Sequence, residues 1–241
     1  MLYGRVLFNG AVQEVTWLED GKLRSLDGRV FDDSEVSFLP PCRPTKIVCV
    51  GRNYVAHAAE LGNAVPERPL LFLKPPSALL GHGGVIRRPG DSSQVEYEGE
   101  IGVVMARSCK DIGPEDDPMS LVAGFTAVND VTARDLQRLD VQFTRAKSFD
   151  TFCPVGPFIN DRIGLEALEV QTFHNNRRVQ SGRSSEMAFS IPDLIRYISR
   201  VMTLNPGDLI ATGTPAGVGA LSPGDVVAVE AAGVRLENRV E

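Results

Sequence analysis

The sequence predicts an α+β fold in which strands dominate, with a small β unit ahead of a larger domain. The 241 residues include 23 glycines and 16 prolines, a content of turn residues that favours short strands over long helices. The apolar segments are short, and most are either continuous or alternating. Few segments carry helical spacing, and the absence of a regular alternation of strand and helix argues against a parallel α/β fold.

Residues 1–43 are predicted to form the small N-terminal β domain. Residues 4–10 predict a strand that ends in an Asn-Gly turn, a strong signal for a hairpin, and residues 12–18 alternate like its partner strand. The proline-rich stretch 40–44 stiffens the chain and is interpreted as a linker. We therefore place the domain boundary near residue 43, and expect the catalytic domain to span residues 44–241.

The second domain opens with the continuous apolar segment 46–50, which predicts a strand buried on both faces. Helical spacing is present at 55–61 and at 194–202, and a further helix is expected to begin at Thr132. Period-two alternation predicts one strand from Val95 to Met105. Shorter apolar segments predict further strands at 70–73, 121–129, 209–212 and 226–230.

Charge and composition exclude several classes of protein. The formal net charge of −6 argues against a nucleic-acid partner, because phosphate contacts need clustered cations. No apolar run approaches the ~20 residues that a membrane-spanning helix needs, so no membrane partner is expected. No secretory leader is visible, and the cysteines are far apart without a CxxC pair. These features predict a cytoplasmic protein whose four cysteines are buried free thiols.

Three carboxylates alternate within the strand predicted over 95–105, at Glu96, Glu98 and Glu100. Period two places them on one face of the strand, where they repel one another unless a cation lies between them. The alternative is a solvated sheet edge, where the repulsion is screened. We favour the cation site, because the apolar residues after Glu100 continue the strand as core.

A fourth carboxylate, Asp130, lies at the corner that follows a predicted buried strand. It would complete an oxygen triad with Glu98 and Glu100; alternatively, Asp130 or Thr132 caps the next helix, a common use of both residue types. Carboxylate oxygens without cysteine or histidine select a hard cation, Mg²⁺, Mn²⁺ or Ca²⁺, over zinc.

Two further segments carry side chains suited to catalysis. His57 and Glu60 are three residues apart on a predicted helix, so the carboxylate can orient the imidazole and make it a general base for water. The alternative is a surface ion pair worth less than ~1 kcal/mol. Lys147, among apolar and aromatic neighbours, suits a carboxylate or a developing oxyanion, or else is an ordinary solvated lysine.

The glycine-rich segment 212–219 has small residues that allow close approach to its backbone N–H groups. Those groups could hold a carboxylate or a phosphate. The segment lacks the lysine of a Walker loop and the GxGxxG spacing, so a nucleotide site is not expected. A plain tight turn is the alternative interpretation.

Six short motifs, taken together and in order, resemble those of the fumarylacetoacetate hydrolase family. They are GRNYVAHAAE at 51–60, LFLKP at 71–75, YEGE at 97–100, NDVTARDLQ at 129–137, KSFD at 147–150 and TGTPAGVG at 212–219. Each motif is weak alone, but six in this order are specific, and they lie within the domain predicted over 44–241. The resemblance implies a mixed β-sandwich roll, usually a homodimer, with Mg²⁺ or Mn²⁺ at its centre.

The resemblance also implies roles for individual residues. Glu98, Glu100 and Asp130 would be the metal ligands. The catalytic residues would be His57, Glu60 and Lys147, with the first two on a lid that orders when substrate binds. The residues expected to contact the carboxylate and oxo groups of the substrate, besides Lys147, are Arg52, Gln137 and Thr214.

The implied activity is that of a metal-dependent enzyme acting on small 2-oxo or 1,3-dioxo acids through an enolate. The reaction would be C–C bond hydrolysis of acylpyruvates or decarboxylation of oxaloacetate. An alternative is a 2-hydroxyhepta-2,4-diene-1,7-dioate isomerase or tautomerase of aromatic degradation; the motifs do not separate these reactions because one enolate serves all of them. A second alternative, a non-catalytic protein that binds a divalent cation or ligand, has no need for a His57–Glu60 pair.

Overall fold

A computed structural model describes residues 1–18, 21–60 and 62–241. Within them the chain forms 21 strands, four short α-helices and five 3₁₀ turns, which confirms the predicted strand-dominated fold class. The helices are α1 (Val55–Glu60), α2 (Arg134–Leu139), α3 (Thr144–Lys147) and α4 (Ile191–Val201). The strands are β1 (Leu2–Phe8), β2 (Ala11–Trp17), β3 (Lys22–Ser25), β4 (Val30–Asp32), β5 (Ser37–Leu39), β6 (Ile47–Gly51), β7 (Leu70–Lys74), β8 (Leu79–Leu80), β9 (Val85–Ile86), β10 (Val95–Tyr97), β11 (Gly99–Met105), β12 (Val122–Asn129), β13 (Thr132–Ala133), β14 (Cys153–Pro154), β15 (Phe158–Asn160), β16 (Glu169–His174), β17 (Arg177–Arg183), β18 (Leu209–Ala211), β19 (Gly219–Ala220), β20 (Val226–Ala231) and β21 (Val234–Val240).

The first two strands form the predicted hairpin. Its turn residues Asn9 and Gly10 have φ angles of 49° and 79°, and a two-residue turn with positive φ at both positions matches the twist of the flanking strands. Phe8 is thereby paired with Ala11.

The largest sheet runs in the order β4-β3-β2-β1-β15-β12-β11-β18-β6-β7, with β5 paired to β1. The N-terminal strands are therefore not a separate sheet, contrary to the sequence-based expectation, because β1 pairs antiparallel with β15 from the middle of the chain. Their apolar residues, such as Val6 and Leu23, join the same core cluster as Val103 of β11. The division at residue 43 stays a prediction.

The interior strands of this sheet are buried because their sequences are continuously apolar. Ile47 to Val50 of β6 are buried, as predicted, and so are all seven residues of β11. A second sheet, ordered β17-β16-β20-β21-β9, supplies Val170 and Val229 to the same core. The helix predicted at 194–202 is confirmed as α4, which begins three residues earlier and ends one residue earlier.

The strand predicted from 95 to 105 is two strands. The chain leaves the first of them at Glu98, whose N–H donates to Asn129 Oδ1 at 3.0 Å and whose carbonyl accepts from Asp130 N at 2.8 Å. These contacts replace the ladder bonds of a continuous strand, so β10 joins a small sheet with β13 and β19 while β11 joins the large one.

Two predicted helices also differ at their ends. The helix predicted over 55–61 is present as α1, and Leu61 lies outside the described residues. The helix expected to begin at Thr132 begins two residues later, as α2, after the short strand β13. No helix in the described ranges is long and apolar enough to cross a membrane. All four cysteines are free, as predicted; Cys42, Cys49 and Cys153 are buried.

Candidate active site

A cavity of about 360 Å³ opens where β6, β7 and the β10–β11 break face α2 and α3. Eight of the nine predicted site residues line it: Arg52, His57, Glu98, Glu100, Asp130, Gln137, Lys147 and Thr214. Glu60, the ninth, lies outside the lining, in contact with His57. Segments up to about 160 residues apart in sequence therefore meet around one space.

Three buried carboxylates form the floor of this cavity. Glu98 lies in the break between β10 and β11, Glu100 lies in β11, and Asp130 follows β12. One ligand oxygen from each lies within 4.8 Å of the other two, and none of the three residues is more than 5% exposed. The alternative of a solvated sheet edge is therefore wrong. A buried, oxygen-only set of donors fits a hard divalent cation.

Asp130 does not cap a helix. Helix α2 has Ala133 at its N-cap and no side-chain cap, and Thr132 donates its hydroxyl to the Asp130 carbonyl at 2.9 Å. The Asp130 carboxylate instead contacts two ammonium groups, from Lys74 and Lys147.

Lys147 is a buried cation, so the interpretation as a solvated lysine is wrong. Its Nζ donates to Glu98 Oε2 at 2.8 Å and to Asp130 Oδ2 at 2.6 Å. It also lies 5.0 Å from the centre of the Phe72 ring, within the range of a cation–π contact. An ammonium has three N–H donors, so one donor of Lys147 remains after these two hydrogen bonds.

Arg134 organises the side chains next to the triad. Its Nε donates to Glu96 Oε2 at 2.8 Å, and its two terminal nitrogens donate to Glu98 and Gln137. Glu96 therefore holds Arg134 and is not one of the three converging carboxylates. Since Gln137 accepts through its side-chain oxygen, its amide NH₂ is the group left to donate toward the cavity.

Burial and charge separate the pKa values of the carboxyl groups. Burial alone would raise the pKa of Glu98, but the charges of Lys147 and Arg134 outweigh it and lower that pKa. Burial raises the pKa of Glu100 well above its usual range, and the charges of Asp130 and Glu98 add to this, although Gly213 N–H donates to Glu100 at 2.8 Å. A positive charge near Glu100 would therefore favour the ionised form of this carboxyl.

The His57–Glu60 pair is formed as predicted on one face of α1. His57 Nδ1 lies 3.2 Å from Glu60 Oε2, and the imidazole is buried, so this is not an ordinary surface ion pair. Gly217 N–H donates to the Glu60 carboxylate at 3.0 Å. With Nδ1 directed at Glu60, Nε2 is the ring nitrogen left for the cavity that His57 lines.

Backbone N–H groups of the glycine-rich segment 212–219 donate hydrogen bonds to carboxylates of this same chain. Gly213 donates to Glu100 and Gly217 donates to Glu60. Gly217 has a φ of 104°, and a Cβ there would lie 2.1 Å from the carbonyl oxygen of Val179, so only glycine fits. The segment therefore fixes one predicted metal ligand and one member of the acid–base pair.

Two residues predicted to contact substrate differ in how free their side chains are. The Thr214 hydroxyl donates to Gly99 O at 2.8 Å and accepts from Gln180 Nε2 at 2.8 Å, so its proton is not available to a ligand. Arg52, at a left-handed φ of 59°, has no hydrogen-bond or ion-pair partner in the described part of the chain. Its guanidinium is therefore available to a ligand.

Sequence reasoning missed Lys74, Arg134 and Gln180 as residues of the site. Lys74 lies in the LFLKP motif, and a charge at the end of an apolar strand was a signal that could have been used. Arg134 follows Asp130 by four residues within the NDVTARDLQ motif, which gives no indication that it contacts Glu96 and Glu98. Gln180 gives no sequence signal.

The chain is similar to several known proteins. The family model described as fumarylacetoacetate (FAA) hydrolase C-terminal matches residues 46–241. The mitochondrial oxaloacetate decarboxylase of Dictyostelium discoideum is 44% identical over 189 residues, covering 76% of this chain and 86% of that protein. The oxaloacetate tautomerase of Bacillus subtilis is 46% identical over 194 residues, covering 77% of this chain and 64% of that protein. The solved structure of 2-hydroxyhepta-2,4-diene-1,7-dioate isomerase from Mycobacterium marinum has a TM-score of 0.88 at 37% identity and covers 100% of this chain and 98% of its own.

Proposed function

This chain belongs to the fumarylacetoacetate hydrolase family, and we propose that it is a divalent-metal-dependent enzyme acting on short 2-oxo or 1,3-dioxo acids. The reaction is decarboxylation of oxaloacetate or C–C bond hydrolysis of acylpyruvates. The observation that carries the proposal is the cavity in which three carboxylates face His57, whose ring is paired with Glu60. The names of the Dictyostelium and Bacillus relatives support oxaloacetate as a substrate.

Glu98, Glu100 and Asp130 would hold the cation, with Mg²⁺ the first choice and Mn²⁺ or Ca²⁺ the others. When bound, the cation supplies positive charge that stabilises negative charge on the substrate's oxygens. This assignment is supported by three properties of the carboxylates: they are buried, they offer only oxygen donors, and their ligand atoms lie close together.

His57 moves the proton in this proposal. Glu60 fixes the ring by accepting from Nδ1–H, which leaves Nε2 to take a proton from water and return it to carbon. Gly217 N–H keeps Glu60 in place, and the Glu60 carboxylate stabilises the imidazolium that forms. The pair therefore serves hydrolysis directly. In decarboxylation, Nε2 passes a proton from water to the enolate carbon after CO₂ leaves, and the remaining hydroxide combines with CO₂ to give bicarbonate.

Lys147 and Arg52 bind the oxo-acid end of the substrate. Lys147 has one N–H donor beyond those used by Glu98 and Asp130, and it can donate to the developing oxyanion. The guanidinium of Arg52 has no partner among the described residues, and it is suited to a carboxylate. The NH₂ group of Gln137 adds a neutral donor at the same cavity wall.

A second candidate function is isomerisation of a diene diacid. It is favoured by the likeness to the Mycobacterium marinum isomerase, which extends over the whole chain. The His57–Glu60 pair would then move a proton between two carbons of the substrate, and the same three carboxylates would hold the cation.

The deciding experiment offers the full chain oxaloacetate, acetylpyruvate and 2-hydroxyhepta-2,4-diene-1,7-dioate, each with Mg²⁺ and with excess EDTA. We expect pyruvate release from one of the first two, and its loss with EDTA. Turnover of the diene alone, followed by its ultraviolet absorbance, would replace the proposal with the second candidate. Mg²⁺ binding without turnover of any of the three would indicate a non-catalytic binding protein.

We also propose that the chain works as a homodimer in the cytoplasm, with a small-molecule substrate and no nucleic-acid or membrane partner. The free thiols, three of them buried, support a cytoplasmic location. The net charge of −6 argues against a nucleic-acid partner. Sedimentation velocity of the purified chain tests the dimer, and a monomeric mass would contradict it.

A further inference from the structure

The outer rim of the cavity carries a cation that the proposed chemistry does not use, Arg138. It lies in the last turn of α2, four residues after Arg134, so both side chains lie on the same side of the helix. Arg138 is exposed, whereas Arg134 is buried, and both line the cavity. The guanidinium of Arg138 therefore lies where a ligand enters.

Arg138 is held in place without being neutralised. Its NH1 donates to Gln94 Oε1 at 3.0 Å, and Gln94 in turn donates to Glu96 Oε1 at 2.6 Å. Among the described residues no carboxylate forms an ion pair with Arg138. A neutral amide partner fixes the guanidinium but leaves its full positive charge and its remaining N–H donors available.

Two of the other cations that line the cavity are, in contrast, already paired. Arg134 and Lys147 both contact Glu98, and Lys147 also contacts Asp130. The cavity lining holds four cationic side chains against three carboxylates, and a bound divalent cation would raise that positive excess further. A dianionic ligand matches this charge better than a monoanion does.

Two phenylalanine rings, Phe72 and Phe143, form an apolar wall of the cavity. Phe72, over whose ring Lys147 lies, packs edge-on against Phe143 with ring centres 5.6 Å apart. Phe143 belongs to the segment between α2 and α3, which follows Arg138 along the chain. Both rings line the cavity, so they offer apolar contact for the carbon chain of a ligand.

We infer that Arg138 is a specificity-determining residue that binds the second carboxylate of a dicarboxylic 2-oxo acid. The inference rests on the proposed function and narrows its substrate class. The 2-oxo acid end lies over the buried carboxylates, and the second carboxylate lies at the rim, where it forms charge-assisted hydrogen bonds with the guanidinium.

The test measures binding of two five-carbon probes, 2-oxoglutarate and 2-oxopentanoate, to the full chain with Mg²⁺ by isothermal titration calorimetry. The probes share the 2-oxo acid end and differ in the terminal carboxylate. We expect 2-oxoglutarate to bind about tenfold to a hundredfold more tightly. Arg138→Gln should remove that difference and leave the affinity for 2-oxopentanoate unchanged.

Arg178→Gln is the matched control, because Arg178 is also exposed and also donates to a glutamine, at 3.4 Å, but does not line the cavity. It should keep the full preference for 2-oxoglutarate. Equal binding of both probes by the unmodified chain, or a preference that survives Arg138→Gln, would overturn the inference. Circular dichroism melts of both variants verify that they fold.

These results are separable from those that test the proposed function. An Arg138-dependent preference for the dianion in a chain that turns over no oxo acid would refute the proposed reaction and leave the carboxylate site standing. Turnover of oxaloacetate or acetylpyruvate by a chain that binds both probes equally would support the proposed reaction and refute the role of Arg138.

Discussion

Lys74 Nζ lies 2.5 Å from Asp130 Oδ1, and both side chains are buried. Lys74 is the last residue of β7, the terminal strand of the large sheet, and it also donates to Val131 O at 2.9 Å. Asp130 and Val131 form the corner that follows β12. One ammonium group therefore fastens the end of the sheet to the corner that carries a predicted metal ligand.

Replacing Lys74 with methionine should lower the free energy of unfolding by about 3 kcal/mol, because it leaves a buried carboxylate short of one of its two cations. Urea unfolding at pH 7 with EDTA measures the change. Lys110→Met is the control, since Lys110 forms an exposed pair with Asp111 and should have little effect. Equal losses in the two variants would contradict a special role for the buried pair.

Glu60→Gln should reduce kcat/KM for the active oxo acid about 100-fold or more, because the neutral amide cannot stabilise a protonated His57. The amide oxygen still accepts from Gly217 N–H, so the fold should persist. Steady-state kinetics gives the loss, and calorimetry with Mn²⁺ should show unchanged metal affinity. Glu67→Gln is the control, because Glu67 does not line the cavity, and it should keep full activity. If Glu60→Gln were as active as Glu67→Gln, an acid–base role of the His57–Glu60 pair would be excluded.

Asp208 provides a pH-dependent part of the stability. Its buried carboxylate accepts from Lys46 Nζ, from Asn205 N at 2.8 Å and from Thr45 N and Oγ1 at 2.8 and 2.7 Å. Burial alone would raise the pKa of Asp208, but these hydrogen bonds outweigh it and lower that pKa. The stabilisation is therefore complete above the unfolded pKa of about 3.9 and is lost as the pH falls through the lower folded value.

Asp208→Asn should accordingly lower the free energy of unfolding by about 2–4 kcal/mol at pH 7. The difference in unfolding free energy between the variant and the unmodified chain should narrow below about pH 4, where the Asp208 carboxylate of the unfolded state becomes protonated. Urea unfolding in a pH series measures both. A gap as large at pH 3 as at pH 7 would show that the carboxylate charge is not its source.

Three of the thiols should resist modification in the folded chain. Burial raises the pKa of Cys42 and of Cys153 to about 12 and that of Cys49 well above its usual range. The reactive thiolate is therefore scarce at pH 8. A disulfide reagent should label at most the half-buried Cys109 before unfolding, and all four cysteines in guanidinium chloride. Rapid labelling of two or more thiols in the folded chain would contradict the burial.

The converging carboxylates could be predicted because their signals are local. Glu98 and Glu100 interrupt an apolar strand at period two, and Asp130 stands at the end of another apolar strand. Burying ionised carboxylates in a core costs much free energy unless a positive charge compensates. A shared cation was therefore the simplest explanation. The His57–Glu60 pair was predictable for a similar reason, since a spacing of three on a helix brings the two side chains together.

The remaining features depend on contacts between distant segments. Lys74 reaches Asp130 only because β7 packs at the end of the sheet, 56 residues away in sequence. The break at Glu98 arises because its backbone bonds to Asn129 and Asp130, which no pattern within 95–105 reveals. Likewise, the hairpin signals at the start of the chain gave no indication that β1 pairs with β15.

The pairing of β1 with β15 has a consequence for N-terminal truncation of the protein. Residues Leu2 to Gly4 of β1 pair with Asn160 to Phe158 of β15, whose strand pairing with β12 on the other side is the single pair Phe125 and Asn160. Deleting the first 43 residues would remove three of the four residue pairings of β15 and expose its backbone donors and acceptors, an edge prone to pairing with another chain. We therefore expect a chain that begins at residue 44 to aggregate more readily than the full chain.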